Sequence, residues 1–342
     1  MKLPSLIDYL YVKIFIAIVE DGDLISIASE IFSGSKKSDE SSESFESFKE
    51  AREYIQELIS DSPYFYISLL NNSKDQGAVP TCNRLKMRDF ADVSLSQTVC
   101  IDNRWTLYSS SGELANIEKH HSAYGLDFIF SPFSILHDFF KDKIKDIIAL
   151  YVLIQQESIS VAIFSQEQLE FGVHLLTDAD EIALVEGSLI PEETFEVVEE
   201  SQDMDIDELN ILDDIEALDD IESLDDIETL DDIDNIESFE DFSEDVDEVS
   251  IQEPQSKEEE LNNFNLDFYR FSLIQEALKS FYTGEYYRQS FVEAVFIADS
   301  VGVSSDLKSY LEEELFVTPI VRKIDLPQEL LKLSKKEIDH AS

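Results

Sequence analysis

From Tyr11 to Val19 the chain reads YVKIFIAIV, a β-branched and aromatic run that breaks at EDGD and resumes as LISIASEIF. Two apolar runs around a short polar turn predict a β-hairpin. The polar stretch SGSKKSDESSESFESFKE, about residues 33–46, reads as a loop, and SFKEAREYIQELIS after it has the period of an amphipathic helix. Tyr64–Asn72 (YFYISLLNN) and Arg104–Ser109 (RWTLYS) predict strands, with SGELANIEKHHSAYG between the second of them and Gly125 as a helix opened by a capping-type Ser111 and Glu113. LDFIF is a short strand, and Pro132 opens the helical stretch PFSILHDFFKDKI. The run IIALYVLIQQESISVAIFSQEQLEFGVHLL then has three strands separated by QQES and SQEQ, an antiparallel meander.

A second block predicts a long aromatic helix around FNLDFYRFSLIQEALKSFYTGEYYRQSF, possible as two helices broken at Gly284. Strand VEAVFIAD, helix SSDLKSYLEEELF and strand TPIVRKID follow. Strands and helices mixed in this order define an α/β protein with partly antiparallel sheets. The 342 residues, 43% hydrophobic, suffice for one two-lobed domain.

Charge changes this picture at one place. Of the net charge of -50, -32 lies between Glu186 and Glu260, which hold 33 acidic residues and the single cation Lys257. The centre of this stretch repeats six residues, LDDIEA, LDDIES, LDDIET, LDDIDN, from Leu212 to Asn235. Leu and Ile recur every third residue, so on an α-helix the apolar stripe would drift by about 60° per step. Twelve uncompensated acids between Asp213 and Asp234 oppose a helix further. The expectation is a largely disordered insertion over 191–262. Its repeat, with Leu212, Asp213, Asp214, Ile215, Leu218, Asp219, Asp220 and Ile221 in the first two copies, is the candidate docking site for a basic partner. Calcium is a weak candidate, because the repeat lacks the glycine turn that wraps an ion.

An acidic surface repels phosphate backbones and anionic headgroups, which argues against nucleic acid and bare bilayers as partners. No signal peptide is predicted, and the uncharged run Ile14–Val19 is far short of the roughly 20 residues that span a bilayer. Cys82 and Cys100 lack the number and spacing of a disulfide framework or zinc site and read as two thiols of a reducing cytoplasm. Walker-type, nucleophile-elbow, zincin and dinucleotide-binding motifs are missing. His120 and His121 are adjacent, and on a helix adjacent side chains point about 100° apart, so they read as exposed surface and not as a ligand pair. No metal and no cofactor is expected. In the aromatic stretch, Tyr282, Tyr286 and Tyr287 are core residues or the lining of a partner groove.

VEAVFIADSVGVSSDLKSYLEEELFVTPIVRKID resembles the end of the actin-like ATPase fold as found in the PilM family of pilus-assembly proteins and its type II secretion relatives. There a strand leads to a glycine pair at the adenosine, then a helix and a strand; the matching positions are Val295–Ala298, Asp299-Ser300 with Gly302, Asp306–Leu315 and Ile320–Ile324. SAYGLDFIFSPFSILHDFF is similar to the family's connection between helix, strand and proline-started helix, and the meander is similar to the opening of its second lobe. The resemblance implies a bilobal actin-like (ribonuclease H-like) fold: a first lobe over 1–145, the start of a second over 146–190, the acidic insertion, and the rest of the second lobe over 263–342.

It also implies three nucleotide loops, and here the chain departs. At the first, Asp8 and Lys13 stand in place, but Tyr9 and Leu10 replace small residues. At the second, Gln155 and Gln156 stand where Asp-x-Gly is expected. At the adenosine, Asp299-Ser300 replaces the glycine pair. The expectation is a pseudo-ATPase: a cytoplasmic scaffold, peripheral at the inner membrane, that docks the cytoplasmic tail of a small bitopic protein in a pilus, secretion, DNA-uptake or flagellar-motor assembly. The competing reading is an acidic adaptor whose LDDIE repeat binds a basic partner. Oligomeric state is not legible.

Overall fold

The computed structural model describes residues 12–34, 36–144, 147–177, 257–287, 290–303 and 305–341. The chain divides into two units, residues 1–189 with 251–342, and residues 190–250. The second unit, and with it the repeat residues Leu212 to Ile221, lies outside the described residues.

The first unit is built on two mixed sheets. The alternation in β1 (Val12–Asp21) sorts its side chains onto two faces. Ile14, Ile16 and Ile18 join Ile27, Ile67 and Leu69 against helix α1 (Phe48–Ser60), which contributes Ala51 and Ile55. Phe15, Ala17 and Val19 face the other way. β1 pairs antiparallel with β2 (Leu24–Ser33) through the predicted hairpin, and parallel with β4 (Tyr64–Leu70). Gly22 takes φ +64° in the turn, a conformation side chains resist.

The polar stretch read as a loop is instead a strand, β3 (Lys36–Phe45), on the free edge of this sheet. Its strand character comes from its partner: Ser41 Oγ hydrogen-bonds Ser29 Oγ at 2.8 Å, and Lys37 reaches the buried carboxylate of Glu30 at 3.2 Å. Charge along an outermost strand also discourages pairing with another chain. β8 (Phe128–Phe130) closes the other side, giving the order β3-β2-β1-β4-β8.

The predicted meander is present as β9 (Ala149–Ile154), β10 (Ser158–Ser165) and β11 (Gln168–Leu176). β9 and β10 are buried along their whole length, as expected for strands covered on both faces. One face, with Leu150, Val152, Ile159 and Val161, packs on α4 (Lys257–Thr283) and α5 (Ser305–Leu315). The opposite face, with Tyr151, Leu153 and Phe164, meets the inner face of the first sheet across α3 (Pro132–Phe139) and α6 (Leu326–Ala341). Helix α6 is absent from the predicted elements. Its signals are Asp325, whose carboxylate accepts the Gln328 N–H, and the apolar period Leu326, Leu330, Leu331, Leu333. β12 (Ala294–Asp299) and β13 (Ile320–Lys323) extend the sheet in parallel from β9.

Its other side is built by residues N-terminal to 145. β5 (Gln76–Val79), β6 (Ser96–Ile101) and β7 (Trp105–Ser110) give the order β13-β12-β9-β10-β11-β5-β7-β6. The sheets therefore do not divide at residue 145. Helix α2 (Ser111–His120) follows β7 directly.

Cys82 and Cys100 form a disulfide, with Cα atoms 5.5 Å apart. This corrects the reading of two thiols, because the turn around Met87–Asp89 brings the loop after β5 back alongside β6. Sequence spacing cannot reveal such a return, and the bond runs against the reducing compartment inferred from cysteine number. With the cysteines 18 positions apart in the chain, the double substitution Cys82→Ser/Cys100→Ser should lower stability by about 3 kcal/mol in the chain-entropy picture, read by urea denaturation. An unchanged midpoint would contradict this.

Candidate functional site

Three turns meet at one end of the two sheets. The β1–β2 hairpin brings Asp21, the β9–β10 turn brings Gln155, Gln156 and Glu157, and the chain leaving β12 brings Asp299 and Ser300. Asp21 Oδ2 accepts the Gln156 N–H at 2.8 Å and Oδ1 the Glu157 N–H at 3.1 Å. Burial pushes the Asp21 carboxyl up, and the two N–H bonds and the positive charge of Arg270 act against that push. Gly22 lies directly on Gln156: a Cβ there would come within 3.1 Å of its amide carbon.

Buried Gln155 donates from Nε2 to Asn72 Oδ1 at 3.1 Å, and Asn72 donates from Nδ2 to the Glu20 carbonyl at 2.6 Å, so the first hairpin and the meander are joined twice. Asp299, 4% exposed, accepts the N–H groups of Val301 (3.0 Å) and Gly302 (2.8 Å) on Oδ1 and of Val303 (2.9 Å) on Oδ2. Ser300 donates through its hydroxyl to the Ile154 carbonyl at 2.8 Å. The sequence-predicted Gln155, Gln156, Asp299 and Ser300 thus come together. Lys13 does not join them, since it is the second residue of β1, beside Phe32 and Tyr64, at the opposite end from the turn. Asp8, Tyr9 and Leu10 lie outside the described residues. The sequence pattern does not single out Asp21, which sits in EDGD and carries only the signal of a turn.

Arg270 on α4 pairs with Asp267 at 3.1 Å, both almost fully buried. Tyr287 is a packing residue, against Phe90, Phe171 and Phe281, and the Tyr282 hydroxyl accepts the Val292 N–H at 3.1 Å. Tyr286 is exposed and touches the Phe90 ring at 6.1 Å. Among the described residues no helix is long and apolar enough to cross a membrane.

One further cluster lies beside the turn. His120 ends α2 and His121 leaves the helix at φ −92°, ψ 12°, so the two rings stand perpendicular with centroids 5.0 Å apart. Ligand atoms of Glu20, His120 and His121 all lie within 4.8 Å of one another. The reading of both histidines as exposed helix surface is corrected at His121, which is buried because the helix ends at His120 and does not continue past it. His121 is 1% exposed, and burial lowers its pKa to about 4, with the neighbouring His120 charge adding to the effect.

The two mixed sheets with helices between and outside them define the bilobal actin-like fold. A solved PilM–PilN type IV pilus biogenesis complex is similar to the chain at 11% identity and TM-score 0.50, covering 93% of this chain and 98% of that one. The ethanolamine utilization protein EutJ from Carboxydothermus hydrogenoformans is similar at 8% identity and TM-score 0.41, covering 94% and 89%. The chain belongs to the family described as a domain of unknown function, DUF8341, whose model matches residues 150–339. The model of a second domain of unknown function, DUF8569, matches residues 11–137. Among curated proteins nothing matches.

Proposed function

We propose that this chain is a non-catalytic member of the actin-like fold, a PilM-like scaffold that holds the cytoplasmic tail of a small bitopic inner-membrane protein. The observation that carries the first half is the Asp21 carboxylate on the Gln156 and Glu157 N–H groups. Backbone N–H groups in such turns are the donors that receive phosphates when a chain cradles a nucleotide. Here a side-chain anion already takes them, and Asp299 takes three more at the adenosine position. An incoming triphosphate would have to displace one carboxylate while lying against the charge of both. Binding of partners needs none of these loops, which is why a fold can outlive its first chemistry.

The second half is supported by the likeness to the PilM protein of the PilM–PilN complex along nearly the whole chain. The cytoplasmic setting belongs to the same proposal.

Calorimetry with ATP and Mg²⁺ should show no binding to the wild-type chain at millimolar nucleotide, and micromolar affinity would overturn the pseudo-ATPase reading. For the scaffold reading, the chain should co-purify from detergent-solubilised membranes with one bitopic protein, and should still do so after deletion of residues 203–250. Loss of every partner on that deletion would favour the acidic adaptor instead.

A further inference from the structure

We infer that Glu20, His120 and His121 form a binding site for one divalent cation of the zinc class, separate from the three turns of the nucleotide position. Two imidazoles and a carboxylate are the donor set of zinc and its borderline neighbours, whereas magnesium and calcium take oxygen ligands. Three protein ligands leave a fourth position open, and exposed His120 places that position at the surface.

The local geometry asks for an occupant. Glu20 Oε1 is buried and has no hydrogen-bond partner among the described residues. His121 Nε2 faces it at 3.5 Å, too long for a good hydrogen bond. Buried polar atoms are otherwise nearly always partnered, so an orphan of this kind marks a missing proton donor, water or ion. The other nitrogen of the same ring, Nδ1, is bonded to the Tyr124 hydroxyl at 2.6 Å. A partner on the far nitrogen is the support that metal-ligating histidines commonly have, because it fixes the ring and aims the remaining nitrogen.

Around a tetrahedral zinc with bonds of ~2 Å, donors sit about 3.3 Å apart. The three groups here lie within 4.8 Å, so closure takes a small rotation of the exposed His120 ring and of Glu20, with His121 already fixed. Phe48 covers His120, ring centroids 4.0 Å apart, and shields one side of the site. A bound cation would fasten the end of β1 to the end of α2, one residue before Asp21. Metal binding should therefore stiffen the turn that closes onto Gln156.

The test is zinc titration of the full chain, with excess calcium present to saturate isolated carboxylates. The expected result is one equivalent bound with micromolar affinity or tighter, accompanied by a rise in Tm. In His120→Ala and Glu20→Gln the tight equivalent should be lost, with affinity falling at least tenfold and no rise in Tm. Cobalt substituted into the wild-type site should give the strong visible bands of tetrahedral coordination. His120 is exposed and Glu20→Gln keeps its shape, so both variants fold, as circular dichroism will confirm. Tight zinc binding that survives both substitutions overturns the inference, as does weak, many-site binding alike in all three proteins.

Discussion

Tyr151→Ala is expected to lower the stability of the protein by about 3–5 kcal/mol, the range for emptying a large aromatic site in a packed core. Tyr151 is fully buried in the middle of β9. Its ring stacks on Phe296 at 5.2 Å and 11°, and meets Phe164 at 5.6 Å and Phe140 at 5.4 Å. These partners come from β12, β10 and the end of α3, so one cavity would loosen three elements. The hydroxyl donates to the Lys143 carbonyl at 3.0 Å, and burial pushes its pKa upward. Tyr151→Phe removes only that bond and should cost about 1 kcal/mol. Urea unfolding of both variants checks the ordering, and equal losses would show that the hydroxyl, not the ring, holds this place.

Asp299→Ala is expected to cost about 2–3 kcal/mol, since the N–H groups of Val301, Gly302 and Val303 lose their carboxylate acceptor while water, which reaches this partly exposed stretch, restores part of each bond. The strain falls on one short stretch, from Val301 to Val303. Hydrogen exchange read by mass spectrometry should therefore show faster exchange there, alongside the lower unfolding midpoint. Asp299→Asn keeps Oδ1 for Val301 and Gly302 and should lose less. Unchanged protection in Asp299→Ala would mean that the carboxylate is a passenger in this turn.

How far the sequence could be read depended on where each element gets its order. β1, β2 and the meander carry their own pattern, because buried strands must be apolar whatever packs on them. β3 carries none: KKSDESSESF is a strand only because β2 offers its edge and Ser29 and Glu30 offer partners. β5 is four residues long, and its glycine passes under Tyr108, so propensity gives little there. At the site, Gln155, Gln156, Asp299 and Ser300 could be found by comparison with a family pattern. Asp21 could not, since its role depends on a turn more than 130 residues further along the chain coming within 3 Å. The expectation of an exposed helix surface at His120 and His121 fails for a local reason. The helix that would keep their side chains apart ends between them.

The sharing of strands between the sheets has a consequence for synthesis. As the chain leaves the ribosome, β5, β6 and β7 are made long before β11, and β9 waits for β12 until the chain has been made as far as Asp299. Until β11 is made, β5 offers an unpaired edge, and long-range pairing of this kind is slow. A fragment cut at residue 145 would keep that edge permanently bare, inviting association with other chains. The two halves are accordingly made in sequence but can only be finished together.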